Sequence, residues 1–316
     1  MTPTRRARLR ALAKLNLDLR VLGRRPDGYH ELRTVFQTIS LADTLEVAFT
    51  PAPETAIEVT GACDIPDNLV VKAARRLLDA TGTTGRVEVR LEKKIPMGAG
   101  LGGGSSDAAA MLLALPVLAG RRVAPEELMR LAAELGSDVP FFLLGGAAVG
   151  IGRGTELYPL PETATRWGVV AAPAVHVSTA EAYAALDLPN VSGLTTEAQQ
   201  NSMFIFQSQA WSQAWEGSQN DFERVVFRRH PELQECKRRL AALGARPAMM
   251  TGSGSALYGL FGTRALALRA AKAMGKDRAF PIALINRSRY RRLWWRSLKA
   301  HMNDNLIWPP HSRYVR

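Results

Sequence analysis

The sequence predicts a mixed α+β fold in two lobes with a short extension, and three observations predict it. Strand-like alternation and helix-like periodicity are interleaved along most of the chain. A glycine-rich stretch, residues 96–107, stands where a strand gives way to a helix. Residues 287–316 then shift to a mixture of arginine and aromatic side chains unlike what precedes them.

Taken in order, arginines 5, 6, 8 and 10 read as a solvated basic lead-in ahead of the first strand. That strand is predicted at residues 11–22, where Leu15, Leu17, Leu19 and Val21 alternate with Lys14, Asn16 and Asp18. One face is apolar and the other is a polar working face. Residues 44–50 and 86–92 repeat the strand pattern. Between them residues 68–82 form an amphipathic helix, with Asn68 as its N-cap and Gly82 just beyond its end. Two helices, 105–118 and 125–135, follow the glycine stretch. Strands are expected near 146–151 and 167–173, with the lobes joined near 155–166. This divides the chain into an N-terminal lobe 1–160, a C-terminal lobe 161–286 and an extension 287–316.

In the second lobe Ser178 and Glu181 make a capping-box pattern at 178–186. A Gln/Ser-rich stretch, 193–219, reads as a loop insertion, and a helix is expected over 221–243. Strand, "TGSGSA" turn, strand, helix and a last strand ending near Asn286 complete the lobe, and no repeat is found.

Composition narrows the class. The chain of 316 residues has two cysteines, Cys63 and Cys236, too few for a disulfide framework or zinc cluster, which fits a reducing cytoplasm. Its longest apolar stretch, around 139–151, is too short and glycine-rich for a membrane span, and no apolar signal segment follows the first arginines. The net charge of +12 suits a polyanionic small-molecule substrate. His176, His230, His301 and His311 show no metal-ligand spacing.

The stretch Pro96-Met97-Gly98-Ala99-Gly100-Leu101-Gly102-Gly103-Gly104-Ser105-Ser106 satisfies G-x-G-x-x-G. A dinucleotide-binding fold would need a further strand after the next helix, ending in an acid; here "PEELMRLAAELG" places a second helix there. The G-K-[ST] ending of a P-loop is also missing. A flexible linker would explain the glycines but not their position at a Ser-Ser-Asp helix start. Backbone amides and a helix N-terminus cradling nucleotide phosphate explain both.

This loop resembles the phosphate-binding signature of the GHMP kinases. "AKLNLDL" (13–19), "RRPDGYHELRTVFQTISLADTL" (24–45), "LGSDVPFFL" (135–143) and "TGSGSALYGLF" (251–261) resemble further segments of that family, in its branch acting on 4-diphosphocytidyl-2-C-methyl-D-erythritol. The resemblance runs from about residue 11 to 286. It implies an N-terminal lobe like ribosomal protein S5 and a ferredoxin-like C-terminal lobe. It also implies γ-phosphoryl transfer from ATP, with Mg2+, to the 2-hydroxyl of that acceptor on the route to isoprenoid precursors.

By that resemblance Asp138 is the catalytic aspartate and Lys14 its partner, balancing charge on the moving phosphoryl group. Residues Pro96 through Ser106 would wrap the ATP phosphates, with the Ser105 and Ser106 hydroxyls near phosphate or magnesium; Asn68 and Lys93 would lie near the nucleotide. Asp107 would support the metal, although an acid in a helix's first turn is also explained by the helix dipole. The magnesium would be held largely by phosphates. Tyr29 and His30 match the pair that contacts cytosine, Thr179 and Tyr183 the residues closing its other side, and Asn16 completes that wall. Tyr183 stands where phenylalanine is expected.

The extension carries eight Lys/Arg against one acid, Asp304, interleaved with Tyr290, Trp294, Trp295, Trp308 and Tyr314. Three readings are open: it folds back on the body or a second subunit, binds nucleic acid, or lies on an anionic membrane. Two rival functions stand beside the cytidylyl acceptor. One is another GHMP kinase, for homoserine, mevalonate or a sugar; the other is a basic nucleic-acid-binding protein.

Overall fold

The structure is a computed structural model, and it describes residues 3–61, 67–161, 165–186, 188, 217–275, 278–303 and 307–314. Two sheets lie face to face between two layers of helices. The first sheet runs β3 (Ala56–Thr60), β4 (Gly85–Glu92), β2 (His30–Pro51), β5 (Ala147–Gly152), β6 (Glu156–Pro159), with β1 (Arg5–Arg24) along the other side of β2. The second runs β10 (Ala279–Ala283), β7 (Trp167–Ala171), β9 (Leu257–Phe261), β8 (Ala248–Met250). Helices α1 (Leu69–Ala80), α2 (Gly103–Ala119), α3 (Pro125–Leu135) and α4 (Val139–Leu144) cover the first sheet. The second is covered by α5 (Thr179–Ala184), α6 (Glu223–Arg229), α7 (Pro231–Ala242) and α8 (Arg264–Met274).

The core is correspondingly in three parts. Leu9, Leu45, Val87 and the whole length of α2 pack between the first sheet and its helices. Leu15, Leu17, Ile39, Tyr258 and Ile282 fill the space between the sheets. Leu233, Leu240, Leu257 and Ala267 pack beneath the second helical layer. Beyond Asp107 helix α2 is apolar all round because it is buried all round, and only its first turn reaches a cavity.

Several boundaries differ from the sequence expectations. The basic lead-in is already strand: Arg5 to Arg10 pair with β2, and Arg6, Arg8 and Arg10 project to solvent while Ala7 and Leu9 face the core. The lobe junction contains β6, hydrogen-bonded to β5. The helix expected over 221–243 is two helices, because Pro231 disfavours helical backbone at His230, which adopts φ −132°, ψ 71°. Residues 193–216 of the Gln/Ser-rich stretch lie outside the described residues.

The extension folds back onto the first lobe. Its helix α9 (Arg287–Leu298) starts at Asn286, whose side chain accepts from the Arg289 amide, and it buries Tyr290, Trp294 and Leu298 in the core around α2. The Trp308 indole donates to the Leu143 carbonyl at 3.0 Å, and His301 Nε2 contacts the Arg6 carbonyl at 2.8 Å. The Arg5 guanidinium stacks 3.7 Å over the Tyr314 ring. Tyr290 and Trp294, offered by the sequence for stacking on bases or lying in a membrane surface, are core residues. Among the described residues no helix is long and apolar enough to cross a membrane.

Candidate active site

A change of side-chain phase in β1 builds one wall of the site. Up to Leu12 the apolar side chains face the helical layer; from Ala13 they face the second sheet. The register with β2 shifts between Leu12 and Lys14, and this bulge rotates the later residues by one position. Lys14 and Asn16 are thereby turned into a cavity of about 870 Å³ between the lobes. A second shift between Asn16 and Asp18 sends Leu19 and Val21 into the core beneath the second helical layer, apart from Leu15 and Leu17.

Lys14 is buried, and its Nζ donates to Asn16 Oδ1 at 2.7 Å and lies 3.2 Å from Asp138 Oδ2. Asp138 occupies the N-cap position of α4, yet its side chain caps nothing and turns to Lys14 instead. A capping aspartate would have spent its carboxylate on backbone amides; this one remains available in the cavity. Asn16 Nδ2 donates to Thr34 Oγ1 at 2.8 Å, which fixes the amide orientation.

The glycine stretch separates this cavity from a second, of about 360 Å³, lined by Asn68, Lys93, residues 95–105 and Asp107; Gly98, Gly100, Gly102 and Ser105 line both. Gly102 adopts φ +70°, and a Cβ there would come within 2.9 Å of the Phe142 ring and 3.2 Å of Lys14 Cγ. Gly100 packs against the "TGSGSA" turn so closely that a Cβ would lie 2.3 Å from the Thr251 carbonyl oxygen. Thr251 Oγ1 accepts from the Asn16 amide at 3.0 Å, so the turn fastens the second sheet to both β1 and the glycine loop.

In the smaller cavity Lys93 bridges Asp43 and Asp107, the latter at 2.7 Å. Burial works against the Lys93 charge, but Asp107 and Asp43 outweigh it and raise its pKa. Burial likewise pushes the Asp107 carboxyl up to about 7, with Lys93 opposing and Asp43 reinforcing the shift. Among the described residues Asp107 Oδ1 and Asn68 Nδ2 are buried without a hydrogen-bond partner, while Asn68 Oδ1 caps α1 through the Val70 amide at 3.0 Å. Ser105 lines the cavities, but Ser106 turns away: its hydroxyl donates to the Leu12 carbonyl at 2.7 Å and ties α2 to the β1 bulge.

At the far end of the larger cavity lie Tyr29, His30, Thr179 and Tyr183. The His30 imidazole stacks on Tyr183 with centroids 4.3 Å apart, and Tyr183 meets Phe222 edge-on. Burial, with repulsion from Arg24, lowers the His30 pKa. The Thr179 and Ser253 hydroxyls hydrogen-bond each other at 2.8 Å. The structure thus brings Lys14, Asn16, Asp138, Tyr29, His30, Thr179 and Tyr183 to one cavity and Asn68 and Lys93 to its neighbour. Thr34 and Arg153 were not singled out in the sequence: Thr34 lies within the 24–45 segment that resembles the family, and Arg153 in no such segment.

Comparisons with known proteins bear on the family and the fold. The GHMP kinases N terminal domain matches residues 68–146 and the GHMP kinases C terminal domain residues 207–278. A 4-diphosphocytidyl-2-C-methyl-D-erythritol kinase of Solibacter usitatus is 60% identical over 315 residues, covering 99% of each chain. The chain belongs to the 4-diphosphocytidyl-2-C-methyl-D-erythritol kinase family. A Geobacter member is 40% identical, covering 89% of this chain and 99% of its own. A solved 4-(cytidine 5'-diphospho)-2C-methyl-D-erythritol kinase superposes with a TM-score of 0.72 at 41% identity, over 88% of this chain and 98% of its own. A homoserine kinase of Cytophaga hutchinsonii, 18% identical with a TM-score of 0.61 over 89% and 95% of the two chains, shares the fold. The Solibacter relative spans this chain almost end to end, the folded-back extension included, whereas the Geobacter relative and the solved kinase cover 89% and 88% of it.

Proposed function

We propose that the chain is an ATP-dependent kinase that phosphorylates the 2-hydroxyl of 4-diphosphocytidyl-2-C-methyl-D-erythritol. The observation that carries this reading is the Lys14–Asp138 pair, standing where two cavities meet across a glycine loop, in a chain 60% identical to a kinase of that name. One cavity suits the acceptor alcohol and the other the nucleotide, so transfer runs past Gly102 and Ser105.

Asp138 orients the acceptor hydroxyl and takes its proton as the new oxygen–phosphorus bond forms and ADP leaves. Lys14, fixed by Asn16, neutralises charge gathering on the transferring group. The loop amides and the α2 N-terminus receive the phosphates, and the buried helix concentrates its dipole there because little solvent screens it. Asp43 holds Lys93 beside that cavity and accepts from the Lys94 and Ile95 amides at 2.6 and 2.8 Å, which braces the loop's entrance.

A magnesium ion fits this chain. Asp107 Oδ1 is a buried oxygen without a partner at the loop, and Ser105 lines the same cavity. Among the described residues no group of three or more His, Cys, Asp or Glu could hold a metal, so phosphate oxygens would complete its shell. When bound, the ion supplies charge neutralisation across the phosphate chain. Tyr29, His30, Thr179 and Tyr183 grip the cytidine end, the aromatic rings by stacking and His30 by hydrogen bonding to the base edge.

The test is ATP turnover with magnesium on that acceptor, alongside mevalonate, homoserine and galactose. Turnover confined to the cytidylyl acceptor supports the reading. Turnover on another alcohol instead keeps the kinase and discards the cytidine grip.

A further inference from the structure

Arg153 lies in the tight turn between β5 and β6, a stretch with no catalytic pattern. Pairing of Gly152 with Leu32 sets this turn beside the β1–β2 hairpin, whose tip carries Tyr29. The Arg153 guanidinium sits 3.9 Å over the Tyr29 ring and donates to Asp27 Oδ2 at 3.0 Å. Asp27 Oδ1 accepts from the Tyr29 amide at 3.1 Å, while Arg25 donates to Asp27 Oδ2 at 3.3 Å. One carboxylate thus ties the hairpin tip, the turn and the aromatic residue together.

Tyr29 is 52% exposed, and both it and Arg153 line the larger cavity. A tyrosine this exposed, at a hairpin tip, has few apolar neighbours to hold its rotamer, and ordering it on ligand binding would cost affinity. The guanidinium covers one ring face by a cation–π contact, while about half of the residue's surface stays open on the cavity.

We propose that Arg153 is a positioning residue for the pyrimidine end of the acceptor, holding Tyr29 as a preformed platform whose exposed surface receives the base. The inference rests on the cytidylyl acceptor proposed above. Arg153 then sets KM for the nucleotide-linked acceptor and leaves kcat and the ATP KM alone, because it acts through Tyr29 and not on the transferring group.

Steady-state kinetics on the full chain test this with Arg153→Leu, Arg153→Lys, Tyr29→Ala and the Leu/Ala double variant. Arg153→Leu should raise the acceptor KM by roughly three- to five-fold, the reach of an exposed cation–π contact, with kcat and the ATP KM unchanged. Arg153→Lys keeps the charge toward Asp27 but not the flat stack, and should fall between. In the Tyr29→Ala background Arg153→Leu should add nothing. An unchanged acceptor KM in Arg153→Leu, or the same fold-increase with and without Tyr29, overturns the proposal. Wild-type protein assayed in parallel separates the failures: if it does not turn over the cytidylyl acceptor, the functional reading falls and this inference with it. If wild type turns over and Arg153→Leu matches it, this inference alone falls.

Discussion

At the scale of single residues, function turns on which hydrogen bonds a side chain declines to make. Asp138 stands at a helix start and does not cap it, so its carboxylate stays with Lys14 at the meeting of the cavities. Asp138→Asn keeps the shape and removes the proton acceptor, and should lower kcat by about 10²- to 10⁴-fold with an unchanged melting temperature, which single-turnover kinetics and calorimetry would check. His30 offers a pH test. Burial lowers its pKa from the ordinary value of about 6.5, so it stays neutral throughout the range above that value. If neutral imidazole reads the base edge, the acceptor KM should be flat from about pH 8 to 6.5 and rise only at lower pH. His30→Gln, which cannot take up that proton, should raise KM and remove the acid limb. An acid limb that survives the substitution would assign it to another group.

At the scale of elements, the β1 bulge and the glycine loop do the aiming. The bulge exchanges the two faces of one continuous strand, so its first half packs under helices and its second half presents Lys14 and Asn16 to substrate. The loop's glycines permit contacts that any Cβ would block. Gly102→Ala faces both a φ of +70° and the Phe142 ring at 2.9 Å. Left-handed backbone without glycine costs about 1–3 kcal/mol, and relief of the clash pushes the loop off Lys14. We expect at least a tenfold loss in kcat/KM for ATP with the fold retained, measured by initial rates at varied ATP. A Gly102→Ala enzyme with wild-type kinetics would show that the loop has room the structure does not suggest.

At the scale of the whole molecule, the extension is part of the first lobe's core. Trp294 is buried there with Tyr290 and Leu298. Trp294→Ala should destabilise by about 3–5 kcal/mol and lower the melting temperature by roughly ten degrees, read by calorimetry. Little change would mean that the helix is only loosely docked. Most of the strands and helices, the glycine loop and the family were legible in the sequence, because alternation, capping and glycine spacing are local signals. The same locality explains what was misread: Arg5 to Arg10 read as a lead-in ahead of the first strand until β2 supplies their backbone hydrogen bonds, although Arg6, Arg8 and Arg10 do face solvent. For the extension three readings stayed open in the sequence, and the fold bears out the one in which it folds back, burying Trp294. The sequence by itself determined which chemical groups are present and which stretches become helix, strand or phosphate loop. Only the tertiary structure decided that a bulge would turn Lys14 toward Asp138, that Ser106 would face away from the cavity, and that a turn from β5 would set Arg153 against Tyr29. Each of those depends on contacts between residues more than ninety positions apart, or on one extra residue in a strand, and neither leaves a periodic trace.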